Sequence, residues 1–311
     1  MTSLQRKLGE TISISSKFLS SNDDNRREGG FIMKMRTFIQ FTTGLTLILI
    51  LLTACGGGGI ETNFTLNNDG FDIQSSEPKF FAEETFTSEL FLVTDMRIRL
   101  EAVRGDIEIE GQDDADSVTV IAQKWVGSDS LKDAEMHLNG LEILVTEEME
   151  EILIQTSQPE DTQDRRYIVD YHIILPSNLE IEVTLINGDI GVQDVQNSVV
   201  IDAVNGDVFL SNTAASAIVS LSNGSINSNM VLPLDGEIRM YTDNGNIDLG
   251  IPTSTSAVFA ASVVNGVISD SNLEFDDAVQ TSESLTGTLG NGEGMIDLGT
   301  VNGNISVVGL N

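Results

Sequence analysis

An Asn-Gly dipeptide recurs through the second half of this 311-residue chain at a nearly fixed spacing, and this recurrence constrains the fold more than any other feature. The first intervals are 18, 18, 21 and 21 residues, and a valine or isoleucine stands two positions after the glycine in six copies. The copies are Asn187-Gly188, Asn205-Gly206, Asn223-Gly224, Asn244-Gly245, Asn265-Gly266 and Asn302-Gly303, and a related Arg104-Gly105 lies upstream.

Apolar and polar residues alternate on both sides of each dipeptide. Val183 and Leu185 precede the first copy, and Ile190 and Val192 follow it. Alternation with a period of two indicates a β-strand with one buried face. Asn and Gly suit a corner between two strands because both adopt positive φ at low cost. Each unit is therefore predicted to be a strand, a corner and a second strand.

A period near 20 residues that keeps corner and core positions in phase is typical of a solenoid. One unit cannot bury its own apolar face, whereas stacked units bury it and pair their strands. Asn-Gly is also a strong signal for β-hairpins, but a meander of hairpins requires no such common phase. We predict an all-β, single-domain parallel β-helix, or β-solenoid, with coils of about 18–21 residues. Its corner asparagines are expected to stack into an amide ladder.

The solenoid is predicted to span 89–311, with an irregular N-terminal cap over 89–176 and the Asn-Gly repeats over 177–311. Solenoids need atypical end units to shield their cores, and the cap can serve as one. A short helix is predicted over 130–138, starting at a Ser or Asp N-cap. Alternating runs predict six strands in the cap, at 96–100, 107–110, 117–123, 143–146, 152–156 and 168–175.

A segment typical of a bacterial lipoprotein precedes this domain. Leu52-Thr53-Ala54-Cys55 resembles a lipobox, and it follows an apolar run over 38–52 and the basic residues Lys34 and Arg36. This order of charge, apolar run and small residues is typical of a signal peptide. We therefore expect cleavage before Cys55, the only cysteine, and attachment of lipid to it. The alternatives are an uncleaved signal anchor or an unmodified free thiol.

Residues 1–54 are thus predicted to be an N-terminal extension plus signal peptide. Because 1–32 is polar and of mixed charge, the true start is expected at Met33 or Met35. The Gly-, Asn- and Ser-rich stretch 55–88 is predicted to be a flexible tether. The expected location is the bacterial cell envelope, lipid-anchored. Gly56 directly after the cysteine favours the outer membrane in a diderm bacterium.

The chain carries a formal net charge of −32, with 48 acidic residues against 16 basic ones. Such a surface repels phosphate backbones, so nucleic acid is excluded as a partner. It repels anionic lipid for the same reason. We therefore expect the lipid anchor, and no basic patch, to make the membrane contact.

Three motifs, taken in order, resemble the DUF4097 family. They are Val103-Arg104-Gly105-Asp106-Ile107, Tyr171-His172-Ile173-Ile174-Leu175-Pro176, and Leu185-Ile186-Asn187-Gly188-Asp189-Ile190 with its later copies. The resemblance covers roughly residues 90–311. It implies a parallel β-helix, exported or membrane-tethered in bacteria, with a provisional adhesin label and no catalytic residues.

The residues of the repeats do not suit the enzymes that share a β-helix fold. Polysaccharide lyases need basic residues, but after Pro176 the chain has no Lys or His and one arginine, Arg239. Hydrolases need paired carboxylates beside a sugar platform, which is usually aromatic, and aromatic residues are scarce in the repeats. We therefore predict no enzymatic activity and no catalytic, metal or cofactor site.

The predicted function is a non-catalytic adhesion, binding or scaffold role in the envelope, with an unknown envelope protein or glycan as partner. One alternative is a carbohydrate-active β-helix enzyme that uses Asp/Glu pairs. Facing carboxylates in a groove near Arg239 or Arg165-Arg166 would favour that enzyme. A further alternative is an envelope assembly or stress factor.

Overall fold

The computed structural model describes residues 62–67, 70–75, 78–91, 96–148 and 150–311. The predicted signal peptide and Cys55 lie outside these described residues. The chain divides into two units. One contains an antiparallel hairpin of β1 (Thr62–Asn67) and β2 (Gly70–Ser75), within the stretch predicted to be a tether. The other contains all the remaining described elements.

The larger unit consists of 21 strands and one helix. The helix α1 (Leu131–Leu138) has eight residues, and no helix in the described part of the chain is long and apolar enough to cross a bilayer. The strands are β3 (Phe80–Phe91), β4 (Arg97–Arg104), β5 (Ile107–Gln112), β6 (Ser117–Ser128), β7 (Glu142–Glu147), β8 (Glu151–Ser157), β9 (Arg166–Pro176), β10 (Glu180–Asn187), β11 (Ile190–Gln193), β12 (Val199–Asn205), β13 (Val208–Thr213), β14 (Ala217–Asn223), β15 (Ile226–Met230), β16 (Glu237–Asn244), β17 (Ile247–Pro252), β18 (Ala257–Asn265), β19 (Ile268–Ser271), β20 (Phe275–Gln280), β21 (Ser284–Leu289), β22 (Gly294–Asn302) and β23 (Ile305–Leu310).

Two mixed sheets, in which most neighbouring strands are parallel, make up this unit. The eleven-stranded sheet has the order β20-β21-β18-β22-β16-β14-β12-β10-β4-β8-β7. The ten-stranded sheet has the order β19-β23-β17-β15-β13-β11-β5-β9-β6-β3. Each Asn-Gly unit places its first strand in the larger sheet and its second strand in the smaller one, so the predicted unit of strand, corner and strand is confirmed.

We number these units repeats 1 to 7 in chain order: β4–β5, β10–β11, β12–β13, β14–β15, β16–β17, β18–β19 and β22–β23. Alternate residues of both sheets face inward and form one core. On successive repeats of the larger sheet, Ile181, Val199 and Ala217 lie in register and are buried. In the smaller sheet, Ile190 and Val208 do the same. Each repeat therefore covers the apolar side chains of its neighbours.

The cap contains the six strands and the helix that the sequence predicts. Helix α1 follows Ser130, whose side chain accepts a hydrogen bond from the Asp133 N–H at 3.2 Å. Strands β9, β6 and β3 extend the ten-stranded sheet, and β8 and β7 extend the eleven-stranded sheet. However, β4 and β5 form a regular repeat that pairs directly with β10 and β11. The irregular part is thus the insertion 113–176, because Gly105 already forms a corner of the repeat type.

Strand β3 differs from the sequence prediction, which assigns residues up to 88 to the tether. It pairs with β6 along all twelve of its residues. On its inner side Ala82 and Leu90 are buried, and Phe86 packs against the core. Between them lies Glu84, which forms an ion pair of 2.5 Å with the buried Lys124. The charged residue interrupts the apolar alternation, so the pattern alone does not indicate a strand.

The spatial order of the last repeats also differs from their order in the sequence. Repeat 7 lies between repeats 5 and 6, since β22 pairs with both β16 and β18, and β23 pairs with both β17 and β19. The hairpin β20–β21 then pairs with the outer side of β18. The long final interval between Asn-Gly copies therefore contains a hairpin, which explains its departure from the period.

Candidate binding site

The corner asparagines form a continuous ladder of side-chain hydrogen bonds, as the sequence predicts. Each carboxamide Nδ2 donates to the Oδ1 of the asparagine on the neighbouring repeat. The donor–acceptor pairs are Asn205–Asn187 at 3.0 Å, Asn223–Asn205 at 2.9 Å, Asn244–Asn223 at 3.0 Å, Asn302–Asn244 at 2.9 Å and Asn265–Asn302 at 2.9 Å. The ladder follows the spatial order of the repeats, so Asn265 is its last member.

A second ladder involves the residue that follows each corner glycine. Its side-chain oxygen accepts a hydrogen bond from the backbone N–H of the equivalent residue on the next repeat. The N–H···O pairs are Asp106–Asp170 at 2.8 Å, Asp189–Asp106 at 3.0 Å, Asp207–Asp189 at 2.7 Å, Ser225–Asp207 at 2.7 Å, Asn246–Ser225 at 3.2 Å, Asn304–Asn246 at 2.8 Å and Val267–Asn304 at 3.0 Å. These N–H donors bind the carboxylates of Asp106, Asp189 and Asp207, which stabilises neighbouring like charges.

The corner glycines form a column in which no side chain fits. A Cβ on Gly206 would lie 1.8 Å from the Gly188 carbonyl oxygen, and φ at Gly206 is +130°. The same carbonyl contact recurs at every predicted corner: Gly105, Gly188, Gly206, Gly224, Gly245, Gly303 and Gly266 would each meet an oxygen of the preceding repeat or strand at 1.7–2.0 Å. The predicted corner residues thus hold the stack together, and their polar groups are engaged with one another.

A shallow groove of about 410 Å³ lies on the cap, on the outer face of the ten-stranded sheet. It is lined by Phe81, Glu83, Trp125, Ile168 and Asp170. Glu83, Trp125 and Ile168 lie in one row across β3, β6 and β9. This row faces outward because its sequence neighbours Val126 and Val169 are buried. Three hydrogen-bonded strands therefore present an indole, two further apolar side chains and two carboxylates to solvent.

Both carboxylates of the groove are positioned by hydrogen bonds. Trp125 Nε1 donates to Glu83 Oε2 at 3.2 Å, and the Asp106 N–H donates to Asp170 Oδ1 at 2.8 Å. Burial raises the pKa of Asp170, although the hydrogen bond from Asp106 opposes this shift. These two hydrogen bonds fix the orientation of both carboxylates beside the indole.

The sequence prediction names none of these groove residues. One signal was available: inside β6 the buried positions Val118, Val120 and Ala122 alternate, which places Trp125 on the outer face. Trp125 is the only tryptophan of the chain, and a large aromatic residue at an outward strand position is a candidate contact residue. Phe81 and Ile168 could not be added, because they reach Trp125 only through antiparallel pairing of distant strands.

A family model described as Toastrack DUF4097 matches residues 92–308, more than half of the chain. This chain belongs to the Toastrack DUF4097 family. The matched stretch covers repeats 1 to 6, all of repeat 7 except its last two residues, and the cap strands β6 to β9.

Several solved structures are similar to this Toastrack chain. A provisionally described cell adhesion protein from Clostridium sporogenes has a TM-score of 0.43 and 13% identity, and covers 74% of this chain and 100% of its own. A provisionally described adhesin from Bacteroides fragilis has a TM-score of 0.28 and 9% identity, with coverages of 73% and 97%. A provisionally described lipid-binding protein from Parabacteroides distasonis has a TM-score of 0.24 and 9% identity, with coverages of 74% and 97%. No curated protein matches the sequence.

Of the three arginines singled out in the sequence as partners for an enzymatic site, Arg165 and Arg239 are engaged away from the groove, whereas Arg166 lies on the outer face of β9, two residues before Ile168. Arg165 binds Asp133 through two hydrogen bonds of 2.7 and 3.0 Å, and this contact, with a hydrogen bond from Ser128, holds the pKa of Asp133 well below its usual range. Arg239 forms an ion pair with Glu237 on the eleven-stranded sheet. In the described part of the Toastrack fold, no group of three or more His, Cys, Asp or Glu side chains is arranged to hold a metal ion.

Proposed function

We propose that this chain is a non-catalytic binding protein of the bacterial cell envelope, built as a β-solenoid whose groove at Trp125 contacts a glycan. The observation that carries the proposal is the groove itself, in which the exposed Phe81 and the half-buried Trp125 and Ile168 lie beside two fixed carboxylates. Binding sites commonly combine such an apolar lining with a few oriented polar groups. The ladders support a rigid scaffold, and the strands of the groove are hydrogen-bonded directly to it.

A glycan suits this lining chemically. The apolar face of a sugar ring can stack on the Trp125 indole, while its hydroxyl groups donate to the oxygens of Glu83 and Asp170. Hydrogen bonds to an ionised acceptor are roughly twice as strong as neutral ones. The groove is open and shallow, so it fits a residue within a polymer better than an enclosed small molecule. Because the chain has a net charge of −32, a neutral glycan is favoured over an anionic one.

A carbohydrate-active enzyme is the second candidate, since Glu83 and Asp170 line the same groove as an aromatic residue. Glycoside hydrolases use such a carboxylate pair, one of which must donate and accept protons. Here Asp170 accepts the first hydrogen bond of a structural ladder, and Glu83 orients the indole. These contacts favour binding over turnover. Release of reducing ends from a bound glycan would support the enzyme instead.

We expect Trp125→Ala to weaken glycan binding strongly, because it removes both the stacking surface and the group that orients Glu83. The soluble 60–311 chain would be tested against neutral and anionic envelope polysaccharides by isothermal titration calorimetry. A single base–aromatic stacking contact is worth about 1–3 kcal/mol in nucleic acid binding, and a loss in that range is expected here. In the wild-type chain, fluorescence of the only tryptophan provides an independent measure of binding.

Phe209→Ala is the matched control for this experiment. Phe209 is 44% exposed and points outward from β13 on the same sheet, away from the groove. Its removal should leave affinity unchanged. Equal losses in both variants, or no binding of any polysaccharide by the wild-type chain, would contradict the proposed site.

We further propose that a lipid on Cys55 holds this domain at the membrane. This part of the proposal rests on the lipobox-like residues and the preceding apolar run. Cells grown with an azido fatty acid should label the wild-type protein, and Cys55→Ser should lose the label and move to the soluble fraction. Label retained in the Cys55→Ser variant would contradict lipidation at this position. Fractionation of a diderm host would test the outer-membrane location.

A further inference from the structure

The chain contains eight Asn-Gly dipeptides, and all of them lie in the described ranges. Besides the six corners they are Asn139-Gly140 and Asn291-Gly292. This dipeptide carries a chemical liability. The backbone nitrogen of the glycine can attack the asparagine side-chain carbonyl, and the glycine offers no side chain to obstruct the attack. Whether it happens depends on how firmly the local structure holds the glycine N–H and the carboxamide.

Seven of the eight glycine N–H groups donate a backbone hydrogen bond. The pairs are Gly140 to His137 O at 3.0 Å, Gly188 to Asn205 O at 2.9 Å, Gly206 to Asn223 O at 3.0 Å, Gly224 to Asn244 O at 2.9 Å, Gly245 to Asn302 O at 3.0 Å, Gly292 to Leu289 O at 3.2 Å and Gly303 to Asn265 O at 3.0 Å. Gly266 is the exception, with no acceptor for its N–H among the described residues. The reason is topological: repeat 6 is spatially last, so no further repeat supplies a carbonyl.

The side chain of Asn265 is also less restrained than those of the four interior members of the ladder. Its Nδ2 donates to Asn302 Oδ1 at 2.9 Å, but no asparagine follows to donate to its own Oδ1. Asn205, Asn223, Asn244 and Asn302 both donate and accept along the ladder. Asn265, Gly266 and Val267 are exposed, whereas the other corner glycines of the ladder are only half-exposed.

We infer that Asn265-Gly266 is a self-modification site, at which the chain deamidates selectively. The Gly266 nitrogen forms a bond to Asn265 Cγ and loses its proton, and the side-chain nitrogen leaves as ammonia. The resulting five-membered imide is opened by water at either carbonyl. The product is aspartate or isoaspartate, and the reaction needs no co-reactant besides water. The ladders protect the other five corners, because attack there requires breaking at least two hydrogen bonds first.

The modification changes the end of the stack. Aspartate at 265 replaces the Nδ2 donor by a carboxylate oxygen, which then faces the Asn302 Oδ1 acceptor. The contact becomes repulsive, and a charge is added to a chain that already carries −32. Isoaspartate also lengthens the backbone at the corner. Both products therefore loosen repeat 6, the outermost repeat, and leave the inner repeats intact.

The test incubates the folded chain in mildly alkaline buffer, digests samples over time and measures the deamidated fraction of all eight peptides by mass spectrometry. We expect Asn265 to deamidate at least roughly tenfold faster than any other corner asparagine. A tenfold ratio of rates corresponds to a difference of about 1.4 kcal/mol in the activation barrier. In denaturant the eight rates should become similar, because the hydrogen bonds that separate them are lost. Asn265→Gln keeps a carboxamide donor but slows cyclisation, so it should remove the fast product.

A rate at Asn265 no faster than that of the interior corners, or faster reaction at Asn139 or Asn291, would overturn the inference. Asn302→Ala gives a second readout in a folded chain. It deletes the remaining acceptor for the Asn265 side chain, so it should accelerate deamidation at Asn265 and leave the distant Asn187 and Asn205 unchanged. Equal acceleration at all sites would show that general unfolding controls deamidation, and this result would also overturn the inference of a selective site at Asn265.

Discussion

Gly206→Ala is expected to lower the free energy of unfolding by roughly 3 kcal/mol or more, since it combines a strained backbone angle with a steric clash. The new Cβ would lie 1.8 Å from the Gly188 carbonyl oxygen, and φ at this residue is +130°. The oxygen belongs to the backbone of a packed neighbour, so it cannot move without shifting the whole corner. Urea unfolding of the soluble domain, followed by circular dichroism, measures the loss.

Gly191→Ala is the matched control. Gly191 lies in β11 of the same region, and the nearest atom to its added Cβ is the Ile107 carbonyl oxygen at 3.9 Å. That distance is an ordinary contact, so stability should stay within about 0.5 kcal/mol of wild type. A small effect at Gly206 would mean that the repeats can separate locally, in contradiction to the close approach of the corners.

The stacking of the repeats could be predicted from the sequence because it depends on local patterns. The alternation around each corner fixes which residues face inward, and Asn-Gly fixes where the chain turns. When units such as Val183–Val192 and their copies share one phase, their corners must align. The amide ladder follows directly, since aligned asparagines on neighbouring strands lie within hydrogen-bonding distance.

The position of repeat 6 was harder to predict, although the sequence contains a clue. In the second ladder each repeat must supply a side-chain acceptor for the next one. Asp207, Asn246 and Asn304 have one, whereas Val267 does not. A repeat without an acceptor fits only at the end of the ladder, so repeat 6 must be last in space although it is not last in sequence. Recognising this requires the direction of the hydrogen bonds, which only the structure provides.

The groove could not be predicted as a site, because its residues come from three strands, β3, β6 and β9, that are far apart in the sequence. Trp125 could be placed on the outer face of β6 from alternation alone. Its neighbours depend on the register of β3 and β9 against β6, which long-range pairing sets. The Glu84–Lys124 ion pair further conceals β3, because a charged residue at an inward position resembles tether sequence.

The second large effect is expected from Asn223→Ala, in the middle of the asparagine ladder. Asn223 donates to Asn205 at 2.9 Å and accepts from Asn244 at 3.0 Å, so alanine leaves the Asn205 Oδ1 without its ladder donor and leaves Asn244 Nδ2 with only its longer contact of 3.4 Å to the Ser222 carbonyl oxygen. The expected loss in the free energy of unfolding is about 1–3 kcal/mol, the cost of leaving partly buried polar groups unsatisfied. Chemical denaturation of the soluble domain measures it.

Asn265→Ala provides the comparison that separates a ladder from a set of independent pairs. Asn265 makes only the terminal bond, to Asn302, and it is exposed, so its loss should cost about 0.5–1 kcal/mol. A double-mutant cycle of Asn223→Ala with Asn205→Ala should show a coupling energy, whereas Asn265→Ala with Asn205→Ala should be additive, since these two share no partner. If the interior and terminal substitutions lower the free energy of unfolding by the same amount, the asparagines act separately. The alignment of the corners would then depend only on the glycines and the apolar core.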